Sequence, residues 1–398
     1  MKSNNKSVFK FAQGKKSFLP KSSLIAILKK SFKKNSRLRA VVYCDKIVDY
    51  RELDMKSNAI SDILQSGLVV KGDKVLVEMA ASIESLVSLI GILKLGAIYI
   101  PIDPNWPLNR KEEIIKIIKP KVILVNAEIN YRKCIDDKRV VVDYQILPFC
   151  NKNFITKVSA QDAVYGFFTS GSTGTPKCVL NTNIGLLNRL LYMNNRYGCS
   201  VSDVILQNSK NIFDASLWQM LWPLMNGASL VIPHNNENFV PLELMKLIEK
   251  YKVTVTDFVP SIFSYFIKFL QNKKFNFKSL RHILIGGEEM NVKDIVYFKK
   301  DFSHVGITNT YGPAECSIGT VFYEVSAPVP DPIPIGKPID NVCAIILKEN
   351  MQPTQVGEVG EIYLGGACVG LGYLKNKRKT NQVFLKNTFT ELSGKILY

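Results

Sequence analysis

The sequence predicts an α/β protein in which two layered, largely parallel β-sheets are flanked by helices, with a β-rich, barrel-like subdomain at the end of the chain. Across residues 21–330, apolar runs of strand length alternate with amphipathic runs of helical length, which is typical of parallel sheets covered on both faces. From residue 331 onward, short β runs separated by glycine and proline replace that alternation, which favours a separate subdomain. A chain of 398 residues is also too long for one simple core.

The first 40 residues are set apart by their charge. They hold 12 of the 52 basic residues and no acidic residue, whereas the rest of the chain has 40 basic and 34 acidic residues. Residues 1–20 are therefore expected to be a basic, disordered tail, and Ser22 or Ser23 can cap a helix to about Lys34. Because the charge outside the tail is nearly balanced, we expect no nucleic-acid partner. An organelle transit peptide remains an alternative interpretation of the tail.

The elements after that helix follow from the periodicity in chain order. A strand pair at residues 40–50 leads into a helix from Tyr50 to about Leu64. Strands are then predicted at 74–78, 97–101, 122–126, 139–143, 163–168, 204–207, 229–232, 253–258, 281–285, 304–309, 342–347 and 360–364. Helices are predicted at 82–95, 112–118, 183–197, 215–224, 241–250 and 260–269.

Cysteine use and hydropathy exclude several classes of protein. Eight cysteines are scattered without a CxxC pair, and the chain has only three histidines, so a zinc site is disfavoured and a reducing compartment is favoured. No window reaches the ~18 uninterrupted apolar residues of a membrane helix. We therefore expect a cytoplasmic protein with no membrane partner.

A loop rich in glycine, serine and threonine follows the strand at 163–168, within the sequence FFTSGSTGTPKCV of residues 167–179. Its backbone N–H groups and hydroxyls can wrap phosphate oxygens, and Lys177 adds a positive charge, although an ordinary surface turn explains the composition equally well. The stretch TSGSTGTPK resembles the phosphate loop of the adenylate-forming superfamily, which contains acyl-CoA synthetases, luciferases and the adenylation domains of nonribosomal peptide synthetases. The resemblance implies catalytic roles for Thr169 and Lys177. It also implies ATP contacts from Thr169, Ser170, Gly171, Ser172, Thr173, Gly174 and Lys177.

Two further turns match nucleotide-binding motifs of that superfamily. Residues 309–319 read NTYGPAECSIG, in which Tyr311 offers a ring for stacking on a base and Glu315 a carboxylate for Mg²⁺. Their similarity to the YGPTE motif implies that Tyr311 stacks on adenine and that Glu315 is the metal-binding and catalytic carboxylate, although Ala314 replaces the usual threonine. The triplet GGE at 286–288 resembles the adenine-binding turn. The ATP-binding residues implied by the two motifs are Gly286, Gly287, Glu288, Asn309, Thr310, Tyr311 and Gly312.

A candidate amino-acid pocket begins at Asp214, in the sequence NIFDASLWQM of residues 211–220. From the residues alone, Asp214 can be the N-cap of the following helix. The resemblance to the FDxSxWE motif of amino-acid adenylation domains implies instead that it holds the α-ammonium group of the substrate. By the same resemblance, the residues that contact the substrate are Asp214, Ala215, Trp218, Asp257, Leu284, Gly286, Thr310, Ile318 and Gly319.

Asp257 is the unusual member of this pocket, because a carboxylate facing a buried cavity needs a partner. A polar or cationic substrate side chain can supply that partner, and a neighbouring polar residue of the protein can do so equally well. Gln219, Cys178 and Asn183 are further departures, since the superfamily usually has Glu, Gly and His there. Residues 93–107 and 357–374 match other superfamily segments, to which we assign structural roles only.

The resemblance covers the large N-terminal domain of the adenylate-forming enzymes, and their C-terminal lid domain has no counterpart in this sequence. It implies that an amino acid and ATP, with Mg²⁺, yield aminoacyl-AMP and pyrophosphate. The acyl group would then pass to the phosphopantetheine thiol of a carrier protein, in cis or in trans. Two alternatives stay open. An acyl-CoA or aryl-acid ligase would have no use for Asp214. A catalytically inactive module that binds nucleotide and amino acid would tolerate Ala314.

Overall fold

The computed structural model describes residue 9 and residues 11–126, 139–169, 176–234, 240–271 and 275–398. In these parts of the chain, twenty strands form three sheets and ten α-helices pack on them. The strands are β1 (Arg39–Tyr43), β2 (Lys46–Asp49), β3 (Lys74–Glu78), β4 (Ile98–Ile102), β5 (Val122–Asn126), β6 (Arg139–Val142), β7 (Ala163–Thr169), β8 (Lys177–Thr182), β9 (Val204–Leu206), β10 (Ser229–Ile232), β11 (Val255–Phe258), β12 (His282–Gly286), β13 (Gly306–Tyr311), β14 (Val321–Glu324), β15 (Lys337–Pro338), β16 (Val342–Leu347), β17 (Glu361–Gly366), β18 (Gly372–Tyr373), β19 (Leu385–Lys386) and β20 (Ile396–Leu397). The helices are α1 (Leu24–Lys34), α2 (Tyr50–Ser66), α3 (Ile83–Lys94), α4 (Leu108–Ile118), α5 (Asn183–Tyr197), α6 (Ala215–Asn226), α7 (Pro241–Tyr251), α8 (Pro260–Leu270), α9 (Val292–Asp301) and α10 (Lys377–Val383).

The seven-stranded sheet has the order β18-β8-β7-β4-β3-β5-β6. Strands β3 to β7 pair in parallel, and β8 and β18 add an antiparallel edge. The central strands β3, β4 and β5 are buried along most of their length, as is usual for parallel strands that are covered on both faces, whereas the edge strand β6 is only partly buried. Thr169 at the end of β7 is paired with Lys177 at the start of β8, so the phosphate-loop segment connects two adjacent strand ends.

The nine-stranded sheet has the order β15-β14-β13-β12-β11-β9-β10-β1-β2 and is parallel from β13 through β1. The ends of β11, β12 and β13 therefore lie side by side, and ligands of open α/β sheets bind at such carboxyl ends. Helices α5 and α6 contact each other and belong to a core cluster that includes residues of both large sheets. Trp218 and Trp222 of α6 are almost completely buried in that cluster.

The β-rich subdomain is a four-stranded sheet of order β16-β17-β20-β19. Its neighbour β18 instead joins the seven-stranded sheet, where Gly372 and Tyr373 pair with Leu180 and Val179. The subdomain is therefore attached directly to the strand that begins at Lys177.

Part of the N-terminal tail is ordered, which differs from the disorder expected for residues 1–20. The N–H of Gly14 donates to the carbonyl of Val342 at 2.8 Å, and the N–H of Ala344 donates to the carbonyl of Ala12 at 2.7 Å. Phe9 and Ala12 also pack in an apolar cluster with residues of β16 and β20. Because lysines dominate the composition of this tail, the few apolar residues in it did not indicate that residues 12–15 lie along β16 at the edge of the four-stranded sheet. Residues 1–8 and 10 lie outside the described residues.

None of the helices in the described ranges combines the length and the apolar character required to cross a membrane.

Candidate functional site

A cavity of about 200 Å³ opens at the carboxyl ends of β11, β12 and β13. Its walls come from these strands, from the first turn of α6 and from the segment after the Tyr311 turn. The structure brings all nine residues of the predicted amino-acid pocket to this cavity, namely Asp214, Ala215, Trp218, Asp257, Leu284, Gly286, Thr310, Ile318 and Gly319. Their grouping gives one polar end at Asp214 and an apolar wall at Trp218 and Leu284.

Asp214 lies at the start of α6, but its side chain does not cap the helix. The residue has φ −63° and ψ −24° and forms no side-chain capping hydrogen bond. Its Oδ2 atom is buried without a hydrogen-bond partner. Burial raises the pKa of the Asp214 carboxyl to about 6, while the nearby N–H groups of Ala215 and Ile318 and the charge of Arg189 act in the opposite direction. Asp214 thus occupies the N-cap position without a side-chain capping hydrogen bond, and a cation placed against Oδ2 would offset the cost of burying the carboxylate.

Asp257 has partners within the protein, which is the second of the two alternatives that the sequence left open. Its Oδ1 atom accepts hydrogen bonds from Nε2 of Gln219 and, at 3.4 Å, from Oγ of Ser209. Burial nevertheless raises the pKa of the Asp257 carboxyl to about 7. The substrate is thus not required to supply a positive charge for this wall of the cavity.

Gln219 holds the polar side of the pocket together. Its Nε2 atom also donates to Oδ1 of Asn208 at 3.0 Å, and its Oε1 atom accepts from the N–H of Ser209 at 3.2 Å. Gln219 is fully buried. A neutral amide is suited to this position because it both donates and accepts hydrogen bonds, whereas a glutamate would place a second carboxylate beside Asp257.

Arg189 is a pocket residue that the sequence analysis missed. It projects from α5 to the cavity, its Nε donates to the carbonyl of Ile318, and its Cζ lies 4.6 Å from the ring centroid of Phe322. Burial lowers the pKa of the guanidinium to about 10, so the group stays cationic at neutral pH. The sequence offers one local indication of this role, which is that Arg189 lies on the leucine-rich, buried face of α5. Its hydrogen-bond partner Ile318 lies 129 residues away in the sequence.

Close backbone approach shapes the rest of the cavity. A Cβ atom added to Gly286 would overlap the carbonyl oxygen and Oγ1 of Thr310 on the adjacent strand. A Cβ atom added to Gly312 would lie 2.5 Å from Cα of Gly319. Side chains at these positions would fill the space between β12, β13 and the following turn.

The structure describes only the two ends of the predicted phosphate-binding segment, Thr169 and Lys177. Thr169 and Lys177 are paired across the β7–β8 hairpin, and both are half-buried. Ser170, Gly171, Ser172, Thr173 and Gly174 lie outside the described residues.

Cys178 packs in the sheet, where burial raises its thiol pKa to about 12. Asn183 accepts a hydrogen bond from the N–H of Leu24 at 3.3 Å, so it joins α1 to α5.

Glu315 is buried in a short helical turn next to β8. Oε1 of Glu315 accepts a hydrogen bond from the Tyr373 hydroxyl at 2.6 Å. Asn181 on β8 fixes the same turn, because its Nδ2 donates to the carbonyl of Ala314 at 2.9 Å. Within the described residues, no group of three His, Cys, Asp or Glu could hold a metal. A magnesium ion at Glu315 would therefore take its other ligands from phosphates and water, as Mg²⁺ commonly does.

The predicted adenine-binding residues occupy the ends of β12 and β13. Gly286 ends β12, and Gly287 follows with φ +97°. The Glu288 carboxylate is directed to the first turn of α8, where it accepts from the N–H of Ser261 at 3.0 Å. Asn309 donates from Nδ2 to the carbonyl of Pro334 at 2.9 Å, while the Tyr311 ring is half-buried at the strand end. Glu288 and Asn309 thus have structural partners, and their ATP contacts remain predictions.

Sequence comparison relates this chain to known proteins. A family model described as "AMP-binding enzyme" matches residues 28–374. The chain is 32% identical over 370 residues to one protein of the mycosubtilin synthase of Bacillus subtilis, a match that covers 90% of this chain and 14% of that protein. It is 31% identical over 356 residues to zwittermicin A synthase ZmaJ of Bacillus cereus, covering 87% of this chain and 68% of that protein.

Solved structures confirm the predicted fold. Two crystal structures of FmoA3, a nonribosomal peptide synthetase, superpose with a TM-score of 0.92 at 22% identity. The match covers all of this chain, 43% of the FmoA3 chain that contains AMPPNP and 45% of the one that contains α-methyl-L-serine-AMP. The α/β class with layered, largely parallel sheets is therefore confirmed, while the roles of individual site residues stay predictions.

Proposed function

This chain belongs to the family of AMP-binding enzymes, and we propose that it activates an α-amino acid as an aminoacyl-adenylate, with ATP as the second substrate and pyrophosphate as the product. The observation that carries the proposal is the buried, unpartnered Oδ2 of Asp214 at the polar end of the cavity. A carboxylate in that environment is stabilised by a cation that donates hydrogen bonds to it, and an α-ammonium group has that chemistry.

The nucleotide is proposed to bind across the two sheets. Lys177 and the loop that precedes it would hold the phosphates, and Tyr311 and Gly287 would flank the base. A magnesium ion bound between Glu315 and the phosphates would offset the negative charge of the polyphosphate. The protein would contribute positioning, by holding the substrate carboxylate in line with the α-phosphorus. FmoA3, whose structures contain AMPPNP and an aminoacyl-AMP, supports this assignment.

The substrate side chain would extend past Trp218 toward Asp257. Because Asp257 already accepts from Gln219 and Ser209, and the cationic Arg189 lines the same cavity, a cationic side chain is not needed for charge balance. We therefore propose a neutral side chain.

Transfer to the phosphopantetheine thiol of a carrier protein, in cis or in trans, is the proposed next step. It is supported by the similarity to peptide synthases such as mycosubtilin synthase, although the chain spans only 14% of the matched protein. We also propose a cytoplasmic location, because no disulfide joins the seven cysteines in the described part of the chain.

The decisive experiment measures ligand binding without requiring turnover. The protein is titrated with non-hydrolysable sulfamoyl-adenosine analogues of the twenty amino acids, of their des-amino acids and of aryl acids. An aminoacyl analogue should bind at least tenfold more tightly than its des-amino counterpart, and Asp214→Ala should remove that difference. Preference for a des-amino or aryl analogue would overturn the proposal in favour of an acyl-CoA or aryl-acid ligase. Binding without any pyrophosphate exchange would indicate an inactive module.

A further inference from the structure

Tyr373 contacts both of the charged groups that are proposed to act at the ATP phosphates, Lys177 and Glu315. Its hydroxyl donates to Oε1 of Glu315 at 2.6 Å, and its ring centroid lies 5.9 Å from Nζ of Lys177. Its backbone pairs with Val179, two residues after Lys177. The residue belongs to the segment 357–374, to which the sequence analysis gave a structural role only.

The position of Tyr373 is fixed from several sides. Its N–H donates to Oγ1 of Thr380 on α10 at 2.9 Å. The Phe384 ring meets the Tyr373 ring edge-on, with centroids 5.7 Å apart and an interplanar angle of 85°, and the Tyr398 ring packs against Phe384 with centroids 5.0 Å apart. Tyr373 itself is 8% exposed.

The alternative partner for Glu315 is Lys177. Opposite charges that meet in a partly buried site attract strongly, and an ion pair between these two groups would withdraw the lysine from the phosphates and the carboxylate from a cation. No such ion pair occurs among the described residues. The Tyr373 side chain contacts both groups, with its ring facing Lys177 and its hydroxyl giving the Glu315 carboxylate a neutral donor.

We propose that Tyr373 is a positioning residue for the metal–nucleotide end of the site. Its hydroxyl holds the Glu315 carboxylate in the orientation that receives a divalent cation, and its ring keeps Lys177 apart from Glu315 so that the lysine stays directed to the phosphates. This inference rests on the proposed function, because it takes Glu315 and Lys177 as the groups that face the metal and the phosphates.

The hydroxyl is tested with Tyr373→Phe, which keeps the ring. The affinity for Mn²⁺, measured by electron paramagnetic resonance at saturating AMPPNP, should fall about tenfold, roughly the effect of one charged hydrogen bond. The affinities for metal-free AMPPNP and for the amino acid should stay unchanged. The matched control is Tyr363→Phe on β17, whose hydroxyl donates to the exposed Glu361 at 3.1 Å, and it should leave all three affinities unchanged. Wild-type Mn²⁺ affinity in Tyr373→Phe would overturn the role of the hydroxyl.

The ring is tested with Tyr373→Leu. Metal-free AMPPNP should now bind severalfold more weakly, because Lys177 is free to pair with Glu315, and adding Glu315→Gln should restore that affinity. Absence of this rescue in a folded double variant would overturn the separating role. If Tyr373→Leu does not fold, the Phe variant alone decides.

Wild-type protein that binds neither AMPPNP nor any aminoacyl analogue would refute the proposed function, whereas normal wild-type binding with an unaffected Tyr373→Phe would refute only this inference.

Discussion

At the scale of single residues, two buried carboxyls give the cavity its chemistry in different ways. Asp214 has an oxygen without a partner, whereas Asp257 is tied to Gln219 and Ser209. Burial raises both pKa values, to about 6 and about 7. Oδ2 of Asp214 is available to a ligand, whereas the hydrogen-bonded Asp257 carboxyl supports the pocket wall.

The first prediction concerns the pH dependence of amino-acid binding. Because a protonated Asp214 cannot attract an ammonium group, affinity should be highest above pH 7 and should fall about tenfold per pH unit below pH 6. Equilibrium titration between pH 5 and 8 measures this. The des-amino acid should bind better at low pH, where the carboxyl is neutral, and Asp257→Asn in parallel removes the group that titrates near pH 7. An amino-acid affinity that stays constant down to pH 5 would contradict the ammonium contact.

The second prediction is that Gln219→Glu destabilises the fold by roughly 1–3 kcal/mol, because it places a carboxylate beside buried Asp257 and removes a donor. The pKa of Asp257 is raised in the folded state, so its contribution favours folding at low pH and is lost as the pH rises through 7. The destabilisation should therefore be larger at pH 8 than at pH 5, where a protonated Asp257 can donate to the new carboxylate. Urea unfolding at both pH values checks this.

Adding Asp257→Asn should restore most of the lost stability, and failure of that rescue would show that the effect arises elsewhere.

At the scale of elements, the sequence predicted the strands that carry the site and missed contacts between distant segments. Alternating apolar runs place Gly286 and Tyr311 at the ends of β12 and β13, as the structure confirms. The partner of Tyr373 lies 58 residues away, and no local pattern indicates it. Helix α4 begins at Leu108, four residues before the predicted start at 112, because Pro107, interpreted as part of a strand exit, precedes its first turn.

The third prediction tests the spacing of β12 and β13. Gly286→Ala would place a methyl group against the backbone and hydroxyl of Thr310, so the two strands must move apart or the cavity must narrow. We expect a loss of roughly 1–3 kcal/mol in unfolding free energy, together with weaker amino-acid binding by titration. Gly67→Ala is a suitable control, because the nearest atom would lie 3.3 Å away at the end of α2. Undiminished binding in a stable Gly286→Ala variant would show that this approach does not shape the pocket.

At the scale of the whole molecule, the site depends on the way in which the three sheets are joined. The cavity belongs to the nine-stranded sheet, Lys177 to the seven-stranded sheet, and β18 attaches the β-rich subdomain to β8. The N-terminal segment then covers an edge of that subdomain, which composition did not predict. Three backbone hydrogen bonds hold it, including one from the N–H of Asn341 to the carbonyl of Lys15 at 2.9 Å.

The fourth prediction concerns the N-terminal segment that lies along β16. Cys343 is completely buried in the cluster that contains Phe9 and Ala12, and burial raises its thiol pKa to about 12. Deleting residues 1–17 should expose the β16 edge, lower that pKa toward its usual value and make Cys343 reactive, because the thiolate is the nucleophile. Maleimide labelling followed by peptide mass spectrometry measures the rate at which Cys343 reacts.

Two other cysteines serve as controls. Cys44, which is exposed, should react at the same rate with and without the segment, and the fully buried Cys316 should stay unreactive in both. An increase at Cys316 as well would indicate general unfolding. An unchanged rate at Cys343 alone would show that the segment does not protect the subdomain, whatever hydrogen bonds it forms.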